Sequence, residues 1–558
     1  MNDTPKNPLE DKLKDLRSGA EERDAKRRSE ELTIPYLDLR SAPISLEAFK
    51  MISEKGARLA KAAFIQIKKK NLTVCVFDPR EEETARLLDK LRAEEFILEI
   101  FIVSLSSLEK AWQSYRGIGS SIKEITSKIE IMGTTLDLLK EKFNSIEKLS
   151  SYLKELEEEN QLFSSTTKTI ELFLGSSLVL GASDLHFESQ KENADLRFRI
   201  DGALHDIYKI PANLYKSLLN RIKLLSGLKI NISDIPQDGR FTIKASEDEI
   251  EIRVSIIPSE FGEAIVMRVL DPKAISLDLL KLGLRKDDEE IARREIKKPN
   301  GMILVTGPTG SGKTTSLYAF LKTVNDPEAK IITIEDPIEY HLEGIEQTQV
   351  DQSSGYTFAS GLRSILRQDP DIILVGEIRD LETAEIAIQA SLTGHIVFST
   401  LHTNTAVGAV PRLIDVGIKS AVLGPALTLV IAQRLVRKLC QYCRVADERI
   451  NEFKEKIDNF LTKLPPKVKS YSEEIKLYKN IGCEKCNNGF KGRIGIFEFL
   501  EFDDEMERLI TKDPTESAIR EFAHKKGLVE MQIDGILKSL AGITTLDEVE
   551  KATGPINW

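Results

Sequence analysis

Residues 307–314 read Gly-Pro-Thr-Gly-Ser-Gly-Lys-Thr, with the apolar run Met302, Ile303, Leu304, Val305 before them and an amphipathic pattern over residues 315–324 after them. A strand, a glycine-rich turn and a helix in that order commit the chain to an α/β layer. Gly307, Gly310 and Gly312 let the backbone aim its N–H groups at a phosphate with no Cβ in the way. Lys313 supplies a point charge for β- and γ-phosphates, and Thr314 supplies a hydroxyl for Mg²⁺. The helix N-terminus adds about half a positive charge. The spacing predicts a nucleoside triphosphate site contacted by Gly307, Thr309, Gly310, Ser311, Gly312, Lys313, Thr314 and Thr315. The alternative, a chance match in a glycine-rich turn, is opposed by the flanking strand and helix.

The 558 residues are enough for roughly three domains. A hydrophobic content of 41% beside 30% charged residues describes a soluble globular chain. Net charge is −10, from 79 basic and 89 acidic side chains, which argues against a dedicated nucleic-acid binder. Residues 1–31 are mixed-charge with no apolar segment, predicting a disordered tail and no signal peptide. The longest apolar run, around 421–432, contains Gly424 and Pro425. It is shorter than the about 20 residues a membrane span needs. The expected protein is cytoplasmic and reaches a membrane only through partners.

Residues 32–116 read as a small α/β domain. Strands are expected at 37–39, 72–77 and 97–103, and helices at 45–63 and 82–93. Residues 117–165 form a linker. Within it, Ile122, Ile125, Ile129, Met132, Leu136, Leu139, Phe143, Ile146, Leu149, Leu153 and Leu156 make a heptad-like stripe. That stripe suits a coiled-coil arm, or amphipathic helices packed on a neighbouring domain, and Gly133 favours a break. Residues 166–275 read as an α+β domain: a helix at 167–180, alternating strands, and turns at Asp201-Gly202 and Asp238-Gly239. Asp271-Pro272 starts a linker, and residues 280–558 read as a parallel α/β core with further helices.

Three more segments of that core carry chemistry. Glu335, in Thr-Ile-Glu-Asp-Pro-Ile-Glu, ends an apolar strand, where a carboxylate can activate water or serve Mg²⁺. Glu377 ends the strand of Asp371-Ile-Ile-Leu-Val-Gly-Glu, a second carboxylate position. Gly376 precedes it where many such enzymes have Asp, so Glu377 carries more of the role alone. His395 and His402 flank the strand of Ile396, Val397 and Phe398, where an ionisable group can sense a γ-phosphate.

Cys440-x-x-Cys443 and Cys483-x-x-Cys486 hold four of the five cysteines. Two such pairs supply the thiolates of a closed tetrahedral Zn²⁺ site. Residues 444–482 between them exceed the usual zinc-ribbon gap and suit an inserted helical arm. Cys75 lies in an apolar strand and reads as a small buried residue.

With these four boxes in order, the sequence resembles the type II secretion and type IV pilus ATPase superfamily over about residues 32–555. The boxes are the phosphate loop 307–314, the aspartate box 331–341, the carboxylate strand 371–377 with Glu377-Ile378-Arg379-Asp380, and the histidine box 393–404. The resemblance implies a fold of class α/β: a RecA-like phosphate-loop ATPase core, an α+β second domain and a small α/β N-terminal domain. It implies a Mg²⁺-dependent ATPase that works as a homohexamer, each ATP clamped between the second and third domains of one chain. The motion would act on an inner-membrane platform protein, placing the chain in the cytoplasm at that membrane, with no direct nucleic-acid contact. It assigns Arg253 and Arg268 to the γ-phosphate and matches Arg363 and Arg367 to further functional arginines. Residues 182–188 and 236–240 match family signatures. The family's basic residue before Pro236 is replaced here by Ile235, so any contact it makes is in doubt. The tetracysteine motif and long N-terminal region resemble pilus-extension and secretion ATPases, with pilus assembly preferred. Two other classes remain: a nucleic-acid-translocating motor, and a nucleotide-dependent regulatory module. Residues 1–150 hold no arginine-rich motif of the kind that binds cyclic-di-GMP in some relatives.

Overall fold

The computed structural model describes residues 8–39, 45, 48, 51–68, 70–113, 129–159, 165–246, 248–272, 278–466, 468 and 475–558. The chain divides into two compact units, Met1–Asp271 and Pro272–Trp558. The boundary falls at the expected Asp271-Pro272 linker.

Within the first unit, β1 (Ala62–Lys68), β2 (Asn71–Val76) and β3 (Ile97–Ile102) form a three-stranded sheet. Pairing is antiparallel for β1–β2 and parallel for β2–β3. Helix α3 (Glu82–Ala93) covers it through Leu88 and Leu91, and Thr84 Oγ1 donates to Ala60 O at 2.8 Å. The helix expected over 45–63 is confined, among the described residues, to α2 (Glu54–Leu59) and Ala48. It ends because Lys61 takes a left-handed φ of 41°, after which β1 begins. The strand expected at 37–39 reduces to one bridge, Tyr36 to Ile102.

The tail expected over 1–31 is instead helical from Pro8 to Leu32 (α1). Its composition hides a docking stripe at helical spacing. The Glu22 carboxylate accepts from Ser104 Oγ and Ser107 Oγ, both at 2.7 Å. Ala25 is buried, and the Arg28 guanidinium sits 3.7 Å from the Phe77 ring centroid. A buried carboxylate with two hydroxyl donors is a satisfied polar contact, which a count of apolar residues misses.

A seven-stranded sheet follows, ordered β4-β8-β9-β10-β5-β6-β7. These are β4 (Ile129–Ile131), β5 (Ala182–Ser189), β6 (Asn193–Ile200), β7 (Ala203–Pro211), β8 (Gln237–Ala245), β9 (Asp248–Ser259) and β10 (Gly262–Leu270). Residues 122–128 of the heptad-like stripe, with Ile122 and Ile125, lie outside the described residues. The rest is no coiled-coil linker. β4 pairs with β8, and α5 (Gly133–Lys142) and α6 (Ile146–Glu158) bury Leu139, Leu149 and Leu153 in the same core as α7 (Thr166–Leu180) and α8 (Ala212–Leu225). The break falls at Gly133, as its position favours. Asp201-Gly202 is a turn with positive φ at both residues, but Asp238-Gly239 is not. Both lie within β8, where a Cβ on Gly239 would meet Ser226 O at 2.6 Å. That glycine serves close backbone approach rather than a turn.

The second unit is built on the sheet β13-β12-β14-β15-β11-β16-β19. Its strands are β11 (Gly301–Thr306), β12 (Ile331–Glu335), β13 (Glu346–Gln349), β14 (Ile372–Val375), β15 (Ile396–Leu401), β16 (Leu427–Leu439) and β19 (Phe490–Glu501). All neighbours pair in parallel except β16 with β19. Met302 and Leu304 enter one core while Ile303 and Val305 enter another. Burial on both faces is why these strands read as unbroken apolar runs. Helices α10 (Lys313–Val324), α11 (Phe358–Ile365) and α12 (Leu381–Leu392) connect them. Between β16 and β19 the chain inserts β17 (Val445–Ala446), α15 (Ile450–Lys463) and β18 (Tyr478–Lys479). Ile457 and Phe460 of α15 pack on Ile536 and Leu540 of α18 (Met531–Leu540). The expected helical arm is present.

One buried charge cluster joins α9 (Lys286–Glu295) to α18. Arg285 pairs with Asp287, Asp288 and Asp534, and Lys538 pairs with Asp534 at 2.6 Å. Three carboxylates face two cations, so one carboxyl is best left protonated. Burial first, with Asp534 and Asp287 nearby, pushes Asp288 up to about 8 against the pull of Arg285 and Lys538. A carboxyl whose folded pKa exceeds its unfolded value stabilises below about pH 4, and that stability is lost as pH rises to about 8. Asp288→Asn is expected to flatten this decline, which has a limiting slope of about 1.4 kcal/mol per pH unit. Melting curves of both proteins from pH 5 to 8 check it, and parallel curves would refute it.

Candidate functional site

The C-terminal ends of β11, β12, β14 and β15 meet at one edge of the second unit's sheet, where parallel α/β sheets place ligands. β11 runs directly into the phosphate loop and then α10. Gly310 and Gly312 have φ of 78° and 86°, conformations that side-chain-bearing residues rarely adopt. Lys313 Nζ donates to Gly307 O at 2.9 Å and Pro308 O at 3.2 Å. Burial holds its pKa below the ordinary lysine value, partly opposed by the charges of Glu377 and Glu339. The loop, its lysine and Glu377 are thus one electrostatic unit.

Glu377 follows β14 by two residues. Its side chain is 13% exposed, with Arg379 Nη2 at 2.5 Å from Oε1 and His402 Nε2 at 3.2 Å from Oε2. Gly376 explains the missing aspartate: a Cβ there would sit 3.3 Å from both Glu335 Cα and Ile334 O. Its N–H donates to Ile334 O at 2.8 Å, drawing β12 and β14 together. Glu335 is buried differently. Its carboxylate accepts from Tyr318 Oη, from Thr333 Oγ1 at 2.6 Å and from Gln347 Nε2 at 3.1 Å. Three donors fix it behind the loop, and Tyr318 is pushed up by burial and by Glu335.

The two histidines separate. His402 leaves the C-terminal end of β15 toward Glu377. His395 precedes the strand, and its Nδ1 lies 3.0 Å from Ala390 O near the C-terminus of α12. Six strand residues at about 3.3 Å each put the two at opposite edges of the sheet. The structure therefore brings His402 to Glu377 and sets Lys313 within reach of the Glu377 charge, holds Glu335 on the neighbouring strand with its own three donors, and leaves His395 away from the loop. Arg363 pairs with Glu382, and Arg367 donates to Arg363 O at 3.0 Å and Ser364 Oγ at 3.2 Å on its own helical segment.

Arg253 and Arg268 lie in the first unit on adjacent strands. The register sets Arg240, Arg253, Arg268, Asp184 and Arg199 side by side across β8, β9, β10, β5 and β6. Like charges placed directly opposite destabilise a sheet. Here Glu251 bonds Arg253 Nε at 3.1 Å, and Asp184 bonds Arg268 Nε at 2.9 Å. Four guanidiniums beside two carboxylates make a row suited to an anion.

The four Sγ atoms of Cys440, Cys443, Cys483 and Cys486 lie within 4.8 Å of one another. Their contacts of 3.6–3.9 Å match the about 3.8 Å edge of a tetrahedron with Zn–S of about 2.3 Å. The donor set fits zinc.

Sequence reading passed over Gln433, Thr306 and Arg379 as working residues. Thr306 Oγ1 accepts from Thr403 N at 2.8 Å, tying the histidine box to the end of β11. Gln433 touches the phosphate loop across the sheet from a strand that starts over a hundred residues later. No local spacing signals either contact. A lone glutamine in an apolar strand was the available hint.

A family model described as "Type II/IV secretion system protein" matches residues 159–551. The chain is 39% identical over 517 residues to the type II secretion system ATPase E of Vibrio cholerae, covering 92% of this chain and 97% of that protein. It is 34% identical over 530 residues to the type IV pilus assembly ATPase PilB of Myxococcus xanthus, covering 94% and 90%. Among solved structures, the Legionella pneumophila ATPase DotB overlays with a TM-score of 0.51 at 22% identity, over 69% of this chain and 94% of that chain, a likeness of fold.

Proposed function

The chain belongs to the type II/IV secretion system protein family, and we propose that it is the ATP-driven motor of a type II secretion machine, with type IV pilus assembly as the second reading. Relatives over nearly its whole length are ATPases, and it is a motor ATPase of that family. The identities, 39% against 34% over similar spans, favour secretion over the pilus reading that the sequence motifs alone preferred. Deleting the gene in its host separates them: secreted proteins accumulate in the periplasm, or surface filaments disappear. Loss of neither would remove both readings.

One observation carries the mechanism: Glu377 stands between His402 and Arg379 at the strand end that faces the phosphate loop. Lys313 exchanges its two carbonyl partners for phosphate oxygens when ATP binds. Glu377 orients the attacking water and accepts its proton, while His402 senses the γ-phosphate through the same carboxylate. Glu335, locked by its three donors, holds a second negative charge beside the loop. Thr314, with Glu377 and Glu335 through water, would hold Mg²⁺, which supplies neutralisation of phosphate charge. The arginine row around Arg253 and Arg268 would supply positive charge to an anionic ligand. The four cysteines would hold Zn²⁺ as a structural crosslink.

A homohexamer that pulls on an inner-membrane platform protein follows from this reading. No helix among the described residues is long and apolar enough to cross a membrane, so the platform supplies the membrane contact. Native mass spectrometry with ATP and Mg²⁺ is expected to show a six-chain assembly with about one zinc per chain. A monomer without metal would refute both the ring and the zinc assignment.

A further inference from the structure

Gln433 sits in the middle of β16, 2% exposed, in a run otherwise made of Leu429, Val430, Ile431 and Ala432. A carboxamide in such a place destabilises the fold unless both its ends are bonded. Both are: among the described residues, the partners are Ser311 of the phosphate loop and Ser316 in the first turn of α10. Nε2 donates to Ser311 O at 2.8 Å, and Oε1 accepts from Ser316 Oγ at 2.7 Å. Ser316 thereby turns its hydroxyl away from the local backbone carbonyl that a helical serine usually bonds.

The main chain makes the same contact more tightly. A Cβ on Gly307 would lie 2.5 Å from Gln433 O, and one on Gly312 would lie 2.8 Å from Gln433 Nε2. Two of the loop's glycines are therefore required by Gln433 as well as by a phosphate. The loop is wrapped around this one residue: Gly307 against its carbonyl, Ser311 and Gly312 against its amide nitrogen, Ser316 against its amide oxygen.

We propose that Gln433 is a positioning residue for nucleotide binding, a post that holds the phosphate loop in its receiving shape before ATP arrives. The inference rests on the nucleotide-motor reading above. A loop already shaped loses less conformational freedom on binding, so the contribution falls on affinity rather than on the chemical step. Gln433 has no route to the reacting atoms except through the loop.

The test compares Gln433→Met, which keeps side-chain length and removes both bonds, with Ser316→Ala, which removes one. Affinity for a fluorescent ATP analogue and steady-state ATP hydrolysis are measured on the full-length protein. Gln433→Met is expected to weaken binding and raise KM about 10- to 30-fold, with kcat within about threefold of wild type. Ser316→Ala is expected to weaken binding about threefold. The double variant should be no worse than Gln433→Met alone, because the two share one grip. Wild-type affinity in folded Gln433→Met overturns the proposal, and so does a fall in kcat with KM unchanged. Should Gln433→Met not fold, unchanged affinity in Ser316→Ala overturns it on its own. Wild-type protein that binds the analogue without hydrolysing ATP would defeat the motor reading while leaving the affinity comparison valid.

Discussion

Glu377→Gln abolishes turnover and leaves ATP bound: the expected fall in kcat is about 10³-fold or more, with nucleotide affinity equal to or tighter than wild type. The side chain keeps its size, so the strand end and the loop should stay in place. What changes is that an amide cannot accept the proton of an attacking water. Loss of a positioned general base is worth about 10²–10⁴ in rate. The loss of charge also removes the partners of Arg379 and His402, both drawn to this carboxylate. Removing a negative charge beside the γ-phosphate accounts for the equal or tighter binding. Glu335→Gln should behave otherwise. Its amide keeps one accepting oxygen and places an NH2 where the carboxylate had a second, so Tyr318, Thr333 and Gln347 cannot all keep their bonds without reorienting, and folding stability falls along with activity. Steady-state turnover and nucleotide binding on Glu377→Gln decide the matter, and turnover within tenfold of wild type would remove Glu377 as the base.

Removing the metal should have the largest effect on structure. Structural zinc contributes about 10 kcal/mol or more to folding in small Cys-ligated modules, comparable to the whole stability of a domain. Apart from the metal, the knuckle around Cys440–Cys443 and Cys483–Cys486 is closed by a few polar contacts, such as Cys440 N to Gly489 O at 2.9 Å and Asn480 Nδ2 to Asn488 O at 2.8 Å, and by the short β17–β18 pair, while Tyr442 and Ile481 are exposed. Beyond it, α15 packs its apolar face on α18 and remains attached. Cys440→Ser, or chelation of the wild-type protein, is therefore expected to free the metal and open residues 440–448 and 480–489 while the sheet persists. Limited proteolysis, followed by mass spectrometry, should show cleavage in those stretches rising about 100-fold, with the phosphate loop still protected. A Cys440→Ser protein that retains one zinc per chain, or that resists protease as wild type does, would contradict a structural role.

The sequence exposed those parts of the fold whose physics is local. Glycines at 307, 310 and 312, a lysine and two threonines specify a phosphate loop because each acts within a few residues. The same holds for the cysteine pairs and for the doubly buried strands. What stayed hidden depends on strand order. β14 lies between β12 and β15, which brings Glu377 to His402, and β11 lies against β16, which brings Gln433 to Ser311. Neither adjacency is written in any spacing. The reading of His395 and His402 as a pair failed for a geometric reason, since flanking a strand places two residues at opposite edges. Polarity misled at α1, where Glu22 and Arg28 dock through hydrogen bonds and ring stacking rather than apolar area. At Asp238-Gly239, a turn-like dipeptide serves a close backbone crossing.

β16 ties the phosphate loop to the cysteine cluster through a single strand. It is hydrogen-bonded to β19 from Leu429 to Leu439, passes Gln433 at the phosphate loop and Arg434 at Asn404, and ends beside Cys440. From Gln433 to Cys440 the chain covers about 23 Å at about 3.3 Å per residue. One continuous strand, bonded to β11 over Leu427–Ala432 and to β19 along most of its length, therefore carries the residue that grips the phosphate loop and leads directly into the first cysteine of the knuckle.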